Sequence, residues 1–248
     1  MEHKQNIEEA NPFALSIGDV MAALLLVFIL ILMATVLQLR ETITATEERV
    51  NQAEQYMAKR QALSKALQAE FKDDLKKWGA EIDTVSLSVR FNSPDVLFAK
   101  GKYTIKDNFK AILNSFLPRY IHVITLPEFK NDIEEIRIEG HSSHKWRAGA
   151  SENESYFGNM ELSQARTRSV LAYLFQFQLY QQADLTDHEN NSLKQWCRKK
   201  TTANGLSFSK PVLIDGQEDA SRSRRVEFRV KIDADKELMK MLEASGES

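Results

Sequence analysis

The run from Val20 to Leu39 holds no charged residue, and it constrains this chain more than any other feature. As an α-helix, about 20 residues rise about 30 Å, the thickness of the hydrocarbon core of a bilayer. A signal-peptide core is shorter, about 7–15 residues, and ends at a small-residue cleavage site. This run has no such site with a polar region behind it. The sequence therefore predicts one uncleaved membrane-spanning helix over 13–39, behind a polar tail of residues 1–12. Pro12 favours a break before the helix. One carboxylate, Asp19, stands at the head of the run. A charged side chain at the centre of a bilayer costs about 2.5–3.5 kcal/mol on insertion scales, so its presence needs a cause. Two causes are open. Asp19 is an N-cap stabilised by the helix dipole, or it faces a wet cavity between helices and carries ions. Asp19, Ala22, Ala23 and Leu26 share one helical face, where the small alanines let another helix approach closely.

The remaining 209 or so residues suit one or two domains of ordinary size. A net charge of −2 gives no electrostatic case for a nucleic-acid partner. The single cysteine, Cys197, forms no internal disulfide. Lys4 is opposed by Glu2, Glu8 and Glu9, while Arg40, Arg49, Lys59 and Arg60 follow the run, so flanking charge gives little guidance on orientation. Residues 40–78 contain no glycine or proline and are rich in helix formers. Ile43, Val50, Met57, Phe71 and Trp78 recur in sevens with Ser64 interrupting, and Leu63, Leu67 and Leu75 widen the stripe. An amphipathic helical linker over 40–79 follows. It is either a dimeric coiled coil or a helix packed on the next domain.

Beyond residue 80 the periodicity changes. Residues 84–91 alternate as a strand, and 104–120 carry apolar residues at helical spacing, with Thr104 or Asp107 as cap. Residues 134–143 form a strand entering a loop, and 160–180 a helix with Ser163 in its first turn. Residues 224–232 alternate again as a last strand. The segment 181–210 is polar, with a short helix at "SLKQWCRKK". The order β-α-β-α-β predicts an α+β domain over 80–235, with helices over a sheet and a tail at 236–248.

Four stretches in this region carry a resemblance. "VLFAKGKYTI" (96–105), "IRIEGHSS" (136–143), "NMELSQARTRSVLAYL" (159–174) and "SRRVEFRV" (223–230) resemble, in order, the motifs of OmpA-like peptidoglycan-binding domains. That resemblance implies a site for the carboxylates of a stem-peptide diaminopimelate. Arg166 falls on the family's ligand-binding arginine, whose planar fork suits a carboxylate. Asn159 and Leu162 fall on adjoining motif positions, and Arg224 and Arg225 on a terminal arginine pair, one toward ligand and one toward solvent. Ser143 stands where the family has an aspartate for the ligand's ammonium, which implies weaker or altered binding. Glu152 or Glu154, in an insertion around 145–155, is a candidate replacement anion.

A single span ahead of such a domain resembles the plan of the MotB family of stator subunits. In "SIGDVMAAL" (16–24), Asp19 falls on that family's ion-carrying aspartate. The apolar stretch 11–32 is more similar still to ZorB proteins of Zorya anti-phage systems. These resemblances imply an ion-translocating Asp19, a cytoplasmic N-terminus and a periplasmic C-terminal domain in a bacterial inner membrane. They also imply a homodimer inside a pentameric ring of a multi-span MotA-like (ZorA-like) partner. A passive wall tether and a flagellar MotB-type subunit share the same plan. Other chemistry is poorly supported. His141 and His144 have H-x-x-H spacing without further ligands nearby, so they read as loop or ligand-rim residues rather than a metal site. No catalytic triad, P-loop or dinucleotide fingerprint is present, and neither an enzymatic activity nor a cofactor is expected.

Overall fold

Alternating apolar and charged residues in three strands decide the architecture of the C-terminal part. Each such strand sends one set of side chains to a hydrophobic core and the other to the opposite face. The structure is a computed structural model and describes residues 12–92, 97–176 and 193–233. Residues 1–11 of the predicted tail 1–12, the predicted tail 236–248 and the end of the predicted second helix (177–180) lie outside them, and Pro12 belongs to the helix rather than the tail. The chain divides into two units between Glu54 and Gln55.

The first unit is helical and belongs to α1 (Pro12–Phe71). Among the described helices, α1 alone is long and apolar enough to cross a membrane. Its large apolar side chains from Val20 to Leu39 all face outward. The Thr35 hydroxyl donates to the Leu32 carbonyl at 2.8 Å, which satisfies a polar group that hydrocarbon would leave unpaired. Proline opens the helix, where its missing N–H costs nothing.

The second unit is built on a five-stranded mixed sheet. Its strands are β1 (Ala80–Asp83), β2 (Ser88–Asn92), β3 (Ile133–His141), β4 (Thr201–Gly205) and β7 (Arg225–Ile232). The spatial order is β1-β2-β7-β3-β4, antiparallel except for the parallel pair β3 and β4. A two-residue Asp215-Gly216 turn joins the small hairpin β5 (Leu213–Ile214) and β6 (Gln217–Glu218). The helices are α2 (Leu75–Trp78), α3 (Asp107–Ile124), α4 (Glu152–Gln176), α5 (Leu193–Lys200) and α6 (Ala220–Ser223).

One sheet face carries Val89, Phe91, Ile136, Ile138, Val226, Phe228 and Val230 into a core shared with Phe109, Leu113 and Phe116 of α3 and Val170 and Leu174 of α4. Phe116 is its hub, with ring centroids 4.9–5.1 Å from those of Phe71, Phe91, Phe228 and Tyr120. The last turns of α1 join this core through Leu63, Leu67 and Phe71. Arg119 of α3 fastens them. Its guanidinium lies over the Phe71 ring and pairs with Glu70 at 2.5 Å and Asp74 at 2.7 Å. The sevenfold stripe is thus divided. Its later residues pack on the domain, while Ile43, Val50 and Met57 are exposed.

Several elements differ from expectation. The predicted strand at 84–91 begins only at Ser88, because the Asp83 carboxylate accepts hydrogen bonds from Val85 N and Ser86 N and makes a turn. β1 and β4 enlarge the expected β-α-β-α-β set. Lys106, not Thr104 or Asp107, is the N-cap of α3. The second long helix starts at Glu152 rather than 160, so Ser163 lies well inside it. Its start is a capping box: Ser151 N donates to the Glu154 carboxylate at 2.9 Å, and Glu154 N donates to Ser151 Oγ at 3.3 Å. Phe116→Ala is expected to destabilise the domain by about 3–5 kcal/mol, read from urea unfolding of the full chain.

Candidate functional site

The site forms where the end of β3 meets α4, and glycines allow the approach. A methyl group on Gly140 would lie 2.8 Å from Thr167 Cγ2 and 2.9 Å from the Ser163 carbonyl. At Gly205, on β4, it would lie 2.4 Å from Gln164 N. Gln164 then clips the edge strand, accepting from Gly205 N at 2.7 Å and donating to the Ala203 carbonyl at 3.1 Å. These contacts hold the loop after His141 against the first half of α4.

A cleft of about 520 Å³ opens there. Of the residues predicted from the sequence, Ser143, Asn159, Leu162, Arg166 and Arg224 line it. Asn159 is buried and its Nδ2 donates to the Ser143 carbonyl at 3.3 Å, so it braces the loop. Arg166 Nε donates to the Lys102 carbonyl at 2.9 Å, and its guanidinium sits 5.0 Å from the Phe98 ring centre. This fixes the arginine and the 99–102 loop together. Arg224 Nε is sealed from solvent and finds no acceptor among the described residues, and Ser142 Oγ on the cleft wall likewise has no partner among them.

Lys100, Ser142, Lys145, Trp146 and Arg147 also line the cleft and were missed. A signal existed in the "KWR" of the insertion. Trp146 packs where a Gly158 methyl would stand 2.5 Å from its ring, so the insertion is seated on α4. Neither Glu152 nor Glu154 lines the cleft. Glu154 is engaged in the helix cap and pairs with Arg147 at 3.1 Å.

His141 and Arg225 require correction. Neither lines the cleft, and both are buried on the charged face of the sheet. Arg225 turns to Glu227 at 2.5 Å rather than to solvent, and its other donors reach the Lys210 and Ser223 carbonyls. His144 lies apart from His141, on the surface, where it pairs with Glu218 at 3.1 Å. The H-x-x-H pair therefore does not converge.

Glu139, His141 and Glu227 do bring three possible ligand atoms within 4.8 Å of one another. Arginines already compensate these carboxylates: Arg225 at 2.5 Å and Arg90 at 3.1 Å on Glu227, and Arg229 at 3.3 Å on Glu139. A metal cation would meet three guanidinium groups, so the arrangement reads as an ion-pair network. Burial pushes the His141 pKa below its ordinary value, which leaves the ring neutral at pH 7. Burial alone would raise the Glu227 pKa, but the groups around it, Arg225 first and Arg90 with it, together outweigh burial and hold it at about 2. A depressed carboxylate contributes stability above its unfolded pKa and loses it as pH falls through the folded value. Stability is therefore expected to fall between about pH 4.5 and pH 2. Glu227→Gln leaves Arg225 buried without its charge partner. It is expected to cost about 3–5 kcal/mol at pH 7 and to flatten that acid limb, both measured by urea unfolding across pH.

The sequence pattern of the OmpA family matches residues 97–205, which hold β3, α4, β4 and most of the cleft. The C-terminal part is therefore an OmpA-like domain, set behind a helix of membrane-spanning length. Over 238 residues the chain is 38% identical to the Zorya protein ZorB of Escherichia coli strain Crooks, an alignment covering 95% of this chain and 94% of that protein. The chain belongs to the ZorB family. Similar solved structures include a MotB-like protein from Desulfovibrio vulgaris, 20% identical with a TM-score of 0.47, covering 72% of this chain and 94% of that one. The cell wall anchor of the T6SS from Pseudomonas aeruginosa is 23% identical with a TM-score of 0.43, covering 67% and 97%.

Proposed function

We propose that this chain is the wall-anchored, stator-type subunit of a proton-driven inner-membrane motor serving anti-phage defence. The family supports the setting. The observation that carries the reading is the pairing, in one chain, of a carboxylate inside an apolar helix with a cationic cleft in an OmpA-like domain. Asp19 lies two turns inside α1, which begins at Pro12, so it is not the N-cap of that helix. That position supports the ion-carrying reading of the carboxylate over the capping one. Each charge crossing about 100 mV releases about 2.3 kcal/mol, which summed steps convert into rotation.

One helix cannot enclose an ion path. The carboxylate needs neighbours, so the chain works as a homodimer inside a ring of five MotA-like (ZorA-like) multi-span subunits. The N-terminus is cytoplasmic and the OmpA-like domain periplasmic. There Arg166 and Arg224 hold the carboxylates of a peptidoglycan stem peptide, Asn159 keeps the Ser143 loop in place, and Leu162 forms the wall. The role is anchoring and force-bearing rather than enzymatic.

Asp19→Asn in the native gene cluster is expected to abolish phage protection while membrane insertion and partner co-purification persist. Full protection by the variant would make the chain a passive tether. Arg224→Ala is expected to lower retention on isolated cell walls at least tenfold, in line with loss of about 1.5–3 kcal/mol from a charged hydrogen bond, with little change in thermal unfolding. Unchanged retention would remove this cleft from wall binding.

A further inference from the structure

The cleft's charge is one-sided. Lys100, Lys145, Arg147, Arg166 and Arg224 stand on its walls, and no carboxylate does among the described residues. Two acids beside its lining residues are already engaged, Glu154 by Arg147 and the α4 cap, and Glu218 by His144. Two wall groups sealed from solvent, Ser142 Oγ and Arg224 Nε, have no hydrogen-bond partner among the described residues. Ser142 as a whole is over nine-tenths buried. An arginine N–H can only donate, and a hydroxyl both donates and accepts, so the wall suits ligand oxygens. A buried polar group left unmatched is costly, so a ligand that supplies those oxygens gains affinity.

A stem-peptide diamino acid carries carboxylates, which this cleft suits, and a side-chain ammonium, which it does not. The ammonium would bring a positive charge among lysines and arginines with no carboxylate among the described lining residues to receive it. Acylation converts that ammonium into a neutral amide. The charge is lost, and the new carbonyl is an acceptor for the same donors. Acylation of this amine is also the bond that cross-links one stem peptide to the next. Resting on the wall-binding reading above, we infer that the cleft selects stem peptides whose side-chain amine is acylated, and so the cross-linked wall over its free ends.

The test uses the full chain in lipid nanodiscs and calorimetric titration with two synthetic tripeptides, L-Ala-γ-D-Glu-meso-diaminopimelate, one with its side-chain amine free and one with it N-acetylated. The acetylated peptide is expected to bind about fivefold or more tighter. Lys145→Glu places a carboxylate at an exposed position on the rim and is expected to move the ratio toward the free amine. Equal or tighter binding of the free-amine peptide by the wild-type chain would overturn the inference and leave wall binding intact. A ratio unmoved by Lys145→Glu would overturn the assignment of selectivity to the charge of this cleft. Failure of both peptides to bind would overturn the inference together with the reading it rests on.

Discussion

The close approach of α4 to the end of β3 is the contact on which the rest of the domain depends. Gly140 leaves no side chain between the strand and the helix, so Ser163 and Thr167 sit directly on strand backbone. Gly205 repeats the arrangement one strand further out. This spacing brings Val170 and Leu174 down onto the core and at the same time aims Asn159 at the loop that follows the strand and Arg166 at the 99–102 loop. Core and cleft are therefore two results of one helix placement. A larger residue at Gly140 would disturb both, since the atoms it meets are backbone and a buried threonine.

Strand parity explains most of what the site became. Successive residues of a strand point to opposite faces. His141 ends β3 in the same parity as Glu139 and so belongs to the buried charged face, while Ser142 and Ser143, past the strand, reach the cleft. Arg224 and Arg225 part in the same way at the start of β7. The charged face is itself ordered by register: Arg90, Glu227 and Glu139 are neighbours across β2, β7 and β3. Glu227 and Glu139 face each other directly across β7 and β3, and guanidinium groups of Arg90, Arg225 and Arg229 around them offset the like charges.

Much of this was legible in the residues. The uncharged run, the alternating strands at 134–143 and 224–232 and the helical spacing at 104–120 were each strong local signals. The motif around Asn159 and Arg166 falls on a wall of the cleft. What escaped was tertiary. "TTANG" (201–205) has weak strand propensity and becomes β4 because β3 offers it a parallel edge. Lys100, Lys145 and Arg147 come from two loops that only the fold brings together. His141 and Arg225 looked like ligand residues because a motif records neighbours in sequence and not which face each one takes.

The lone cysteine has a consequence of its own. Cys197 lies on α5 with no exposed surface, packed in the core. An accessible unpaired thiol in an oxidising compartment exchanges with other thiols and can link one molecule covalently to the next. Here the sulfur is out of reach of such exchange while the domain is folded. Folded copies that meet are therefore not cross-linked through it, and any disulfide-linked species would report that the domain had opened.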